Sequence, residues 1–117
     1  MVDSIGAVVV GTFGLAAEAV AKGAAGAAVI DGYDALKSGL SAFAKREIAE
    51  LEPRPRSIGM QIAVAEIIDA QSEETRTALC VLAATLVARL RDGAPAAGLD
   101  IDRLAALEAQ LSALAPK

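Results

Sequence analysis

The sequence predicts an all-α domain, a small bundle of four to five helices led by a Gly/Ala-rich N-terminal helix. Three observations carry that prediction. Apolar residues recur at three- and four-residue intervals through most of the chain after residue 30. Pro-Arg-Pro, Ser, Asp and Gly residues punctuate those runs. After residue 31 no segment offers a further strand. A chain of 117 residues suits one domain spanning 1–117, with a Gly/Ala-rich segment at 6–30, a helical scaffold at 31–93 and a C-terminal helix at 99–115.

The first element is the least ordinary. Residues 6–28 read GAVVVGTFGLAAEAVAKGAAGAA, and 14 of these 23 positions are Gly or Ala. Such a segment has little bulk for a core and too much apolar surface to stand alone in water, so it requires another surface close against it. Read as a helix, it aligns Gly14, Ala17, Ala21, Ala24 and Ala28 at spacings of three, four, three and four. A stripe without bulk lets two helix backbones approach closely, and these five residues form the predicted association interface. Glu18 and Lys22 lie off the stripe as an i,i+4 pair worth about 0.2–0.5 kcal/mol. Glycines at 11, 14, 23 and 26 each cost about 1 kcal/mol within a helix, which packing has to offset.

A second reading of the same residues is a dinucleotide fold. Ala7 to Val10 and Ala27 to Ile30 would be strands, Gly11 to Gly14 the turn, and Asp31 the ribose-binding acid. Gly11-Thr12-Phe13-Gly14 lacks the G-x-G-x-x-G spacing. Without later strands, a two-strand parallel sheet has no covered faces. The helix reading is therefore the one adopted.

The second helix is expected over 31–51, with Tyr33, Leu36, Leu40, Phe43, Ile48 and Leu51 on its apolar side. Pro53 and Pro55 stop it, since each lacks an N–H and restricts the residue before it. A third helix is expected over 58–70, with Met60, Ala63, Val64, Ile67 and Ile68 on one face. Ser72 then caps a fourth helix, with Glu73 and Glu74 in the first turn, where the helix dipole favours anions. Leu79, Leu82, Leu86 and Leu90 form its stripe, and Gly93 is placed to end it as the C′ residue. After a linker at 94–98, Asp100 is expected to cap the last helix, with Leu99 and Leu104 as a hydrophobic staple. Leu104, Leu107, Leu111 and Leu114 give that helix a pairing seam, expected to dock on its own domain.

Composition excludes several function classes. The chain is 55% hydrophobic, but much of this is Ala, and the aromatics are Phe13, Tyr33 and Phe43. The formal charge of −4 opposes nucleic-acid binding, which depends on Lys and Arg neutralising phosphates. The basic residues Lys45, Arg46, Arg54 and Arg56 are interleaved with Glu47, Glu50 and Glu52, which makes a solvated mixed face.

The chain has no histidine, so it can form neither a Ser-His-Asp nor a Cys-His pair nor an imidazole metal site. The acidic pairs Asp31/Asp34, Glu47/Glu50, Glu66/Asp69 and Asp100/Asp102 read as solvated or capping residues rather than metal ligands. The lone Cys80 stands among Leu79, Val81 and Leu82 and is expected to be a buried thiol. No catalytic residue, cofactor or metal is predicted.

The N-terminus lacks the basic start of a secretory signal. The longest uncharged run, residues 4–17, is shorter than the roughly 20 residues of a spanning helix, so a cytoplasmic location is expected.

One further pattern links these elements. A small-residue segment leads into Asp31-Gly32-Tyr33-Asp34-Ala35-Leu36-Lys37, and a helix from Leu40 to Leu51 and a Pro-rich break follow. Next come Ala65-Glu66-Ile67-Ile68-Asp69 and the Leu79 to Leu90 helix. Over residues 6–92 this layout resembles a loose group of small bacterial helical proteins, and the effector-associated and death-like adaptor modules of bacterial defence systems. The resemblance implies homotypic association that recruits or clusters an effector, and it carries over no catalytic residue. The leading expectation is thus a non-enzymatic association or adaptor module, acting with a second copy of itself or with a partner protein. The alternative is a membrane-active, pore- or lesion-forming helical protein that uses the Gly/Ala-rich segment.

Overall fold

The structure is a computed structural model that describes residues 5–23, 26–97 and 101–114. Among them are five helices: α1 (Ile5–Ala21), α2 (Ala27–Leu51), α3 (Ile58–Asp69), α4 (Glu73–Ala97) and α5 (Ile101–Leu114). The described residues include no strand, so the all-α bundle is the observed architecture.

α1 is the central element and packs against each of the other four helices. Its buried residues Gly6, Val8, Val9, Val10, Thr12, Phe13, Gly14, Leu15, Ala16, Ala17 and Ala19 cover most of its circumference and leave one narrow strip at Ala7, Gly11 and Glu18. A helix that is apolar around most of its circumference belongs inside a protein, and the cover α1 requires is supplied by its own chain. Burial also explains why three successive valines remain helical, since packing overrides the weak helix preference of β-branched residues. The buried Thr12 hydroxyl donates to the Val8 carbonyl at 3.0 Å, so it brings no unmet polar group into the core.

α1 ends earlier than the 6–30 segment suggests. Gly23 has φ +68°, the left-handed conformation that terminates helices as a C′ residue. Its N–H donates to Val20 O at 3.0 Å, one of the bonds of a Schellman ending. A glycine that costs helix stability in the interior is well suited to the end, so the break falls there. Gly14, Ala17 and Ala21 therefore belong to α1 and Ala28 belongs to α2, so the five-residue stripe does not lie on one continuous helix.

α2 starts four residues before the expected Asp31 and buries Val29, Gly32, Tyr33, Leu36, Leu40, Ala44, Ile48 and Leu51. Its backbone departs from helical geometry at Ala44 (φ −138°, ψ 36°); Ala44 shares the inward face with Leu40 and Ile48, while Phe43 is only partly covered. Leu51 is its last residue, as the two following prolines require. Ser57 caps α3, its hydroxyl accepting from Met60 N at 3.4 Å, and α3 turns Val64 and Ile68 inward. Ser72 caps α4 as expected, accepting from Thr75 N at 3.2 Å.

α4 does not end at Gly93. It continues through Gly93 and Pro95 to Ala97, and among the described residues Gly23 is the sole glycine with positive φ. Gly93 keeps a helical backbone, and Ala94, Ala96 and Ala97 after it are strong helix formers. Leu104, Leu107 and Leu111 of α5 are buried, and α5 docks on α4 and α1. Leu99, Asp100 and the side chain of Leu114 lie outside the described residues.

Candidate association surface

The five predicted interface residues occupy different environments. Gly14 is buried. A Cβ there would stand 3.1 Å from the backbone oxygen of Pro55, so its missing side chain accommodates the α2–α3 connection. Ala17 is 4% exposed and belongs to the core. Ala21 and Ala28 are exposed, and Ala24 lies outside the described residues.

The closest approach to α1 is made elsewhere. A Cβ on Gly6 would come within 2.2 Å of the Ala65 oxygen, so glycine is required where α1 crosses α3. At that crossing Gly6 N donates to Asp69 Oδ1 at 2.8 Å. A carboxylate from the end of α3 thus satisfies an N-terminal N–H of α1 and complements its dipole.

Two polar clusters fasten the bundle. The Glu18 carboxylate accepts a hydrogen bond from Arg56 Nε and lies 4.0 Å from Arg103 Nη1. These contacts tie α1 to the α2–α3 connection and to α5 and replace the expected pair with Lys22. Tyr33 stacks on Phe13 with ring centroids 5.1 Å apart, and its hydroxyl donates to Glu52 Oε2. Lys37 Nζ holds the other Glu52 oxygen at 3.0 Å.

Burial raises the Tyr33 pKa, and the Glu52 carboxylate raises it further. Burial pushes Glu52 upward, but the hydrogen bonds from Lys37 and Tyr33 outweigh it and hold the carboxylate below its ordinary range. Cys80 is a buried thiol whose pKa is raised by burial.

Two grooves among the described residues lack converging reactive groups. One of about 350 Å³ runs between α4 and α5 past Val87, Leu111 and the Arg91–Glu108 ion pair. Another of about 400 Å³ lies between the end of α2 and the start of α3, lined by Ala49, Pro53, Arg54 and Met60. Among the described residues, no group of three or more His, Cys, Asp or Glu side chains is placed to hold a metal ion. No helix among them is long and apolar enough to cross a membrane.

The outer face of α3 stands apart from these features. Ile58 is 72% exposed and Ile62, one turn later, 54% exposed. Ile30 and Val81 are also exposed but lie singly on α2 and α4, an ordinary pattern for a protein surface. On the α3 face Gly59 and Ala70 are exposed, Ala63 is half-buried, and Glu66 is the exposed charge. The sequence contains the signal for this face. Ile58 and Ile62 fall on the side of the helix away from Val64 and Ile68, so the 12-residue helix is apolar on two sides. The five-residue expectation missed it because a single inward face explains most of the apolar residues of α3.

No protein-family model, curated protein or solved structure matches the chain.

Proposed function

We propose that the chain is a non-enzymatic association module that binds a second copy of itself and could thereby cluster an attached or recruited effector. The observation that carries this reading is the pair of adjacent isoleucines left in water on α3, in a domain whose other large apolar side chains are mostly covered. The small-residue positions Gly14 and Ala17 support the module indirectly, by closing the bundle that presents α3.

The membrane-active alternative is disfavoured because Val8, Val9, Val10, Phe13 and Leu15 would have to leave the core before α1 could meet lipid. Sedimentation equilibrium tests the proposal. The expected result is reversible, concentration-dependent self-association. A single monomeric species up to about 1 mM, a concentration at which complexes weaker than about −4 kcal/mol begin to dissociate, would remove the reading.

A further inference from the structure

We propose that the outer face of α3 pairs antiparallel with the same face of a second copy, about a two-fold axis. This inference rests on the association reading and specifies its surface and partner. The argument begins with shape. Ile58 and Ile62 project from the helix, whereas a Cβ on Gly59 would meet nothing within 4 Å. An isologous contact must be self-complementary. With the axis passing between positions 60 and 61, Gly59 of one copy faces Ile62 of the other. Ile58 then faces Ala63. Each projecting isoleucine is placed against a residue with little or no side chain, which is the condition for close helix packing.

Charge selects the antiparallel orientation. Exposed Arg54 precedes the N-terminal end of α3, and exposed Glu66 lies near its C-terminal end. The antiparallel register brings Arg54 of each copy within about a turn of Glu66 of the other and opposes the two helix dipoles favourably. A parallel pair would set Arg54 beside Arg54 and Glu66 beside Glu66. The net charge of −4 further disfavours an anionic lipid surface as the occupant.

Area sets the strength. Twelve residues of helix span about 18 Å, so the contact buries less than the roughly 1,200 Å² at the lower limit of stable interfaces. A dimer with Kd of about 10–100 µM is expected, in the range of transient complexes.

The experiment is sedimentation equilibrium of the full chain and four variants, with circular dichroism melts to verify folding. Ile62→Lys is expected to weaken dimerisation at least about tenfold, the effect of losing a central apolar anchor, with an unchanged melt. Arg54→Glu and Glu66→Arg are each expected to weaken it, and the double variant to restore it, since the swapped charges again face each other. A dimer insensitive to Ile62→Lys and to both charge changes overturns this inference but leaves self-association standing. A chain that remains monomeric overturns both. Flotation of the wild-type monomer with phosphatidylglycerol vesicles, abolished by Ile62→Lys, overturns the dimer and assigns the face to lipid.

Discussion

α1 and α3 cross at Gly6 and Ala65, and both are rich in apolar residues, yet they stand in opposite situations. α1 is surrounded by the rest of its own chain, and its small residues let α3, α5 and the α2–α3 connection come close. α3 buries Val64 and Ile68 but leaves Ile58 and Ile62 in water. A run of glycine and alanine thus indicates that some backbone approaches closely, without indicating whose. Unsatisfied apolar surface is better sought where large side chains occupy the side of a helix turned away from its neighbours.

The comparison can be broken most forcefully at Phe13. It is fully buried on α1 and stacked on Tyr33. Phe13→Ala is expected to cost about 3–5 kcal/mol through lost burial and a cavity, a large share of the roughly 5–15 kcal/mol of a typical domain. Urea unfolding monitored by circular dichroism would measure it. If α1 were peripheral, the loss would stay below about 1 kcal/mol.

Paired glycines sharpen the contrast. Gly6→Ala forces a methyl into the Ala65 backbone and is expected to destabilise by about 1–3 kcal/mol or more. In the monomer, melted well below the dimer Kd, Gly59→Ala enters open space on an exposed helix face and is expected to stabilise by about 0.5–1 kcal/mol. Midpoints of thermal melts that moved in the same direction for both would refute the difference drawn between the two helices. Within α1, Ala17→Leu should cost about 1–3 kcal/mol by overpacking. Ala21→Leu, at an exposed helix end, should change stability by no more than about 0.5 kcal/mol.

A smaller effect concerns the Tyr33–Glu52–Lys37 cluster that fastens the end of α2. Glu52 has a depressed folded-state pKa, so its contribution is present above the ordinary carboxylate pKa and is lost as pH falls through the lower folded value. Tyr33 has a raised folded-state pKa, so its contribution is complete below the ordinary phenol pKa of about 10 and is lost as pH rises above it. Tyr33→Phe is expected to cost about 1 kcal/mol at neutral pH and to flatten the alkaline decline. Glu52→Gln should flatten the acidic one. Unfolding free energies measured across pH in both variants test this, and an unchanged pH profile would exclude the cluster as its source.

Much of the bundle is legible in the sequence. Pro53 and Pro55 end α2 at Leu51, Ile58 to Asp69 form a short helix, and Ser72 caps α4, because caps and prolines act within a few residues of backbone. The stop expected at Gly93 fails because whether a glycine caps a helix depends on its φ, and Gly93 does not adopt a positive one. The continuity of the small-residue stripe across Gly23 failed in the opposite sense, because there the glycine did adopt positive φ. The α3 face was written in the sequence as apolar residues on two sides, but which side would be covered could not be read from periodicity alone.

By itself, then, the sequence determined the helical class, most element boundaries and the need of residues 6–28 for close cover. Each of these follows from local backbone chemistry or from composition. The tertiary structure decided that α1 would be the centre, that Asp69 would cap it and Arg56 would pair with Glu18, and that Ile58 and Ile62 would be left outside. Those outcomes depend on which helices meet across long separations in the chain. A hydrophobic face demands burial without direction, so only the packed whole determines which face obtains it.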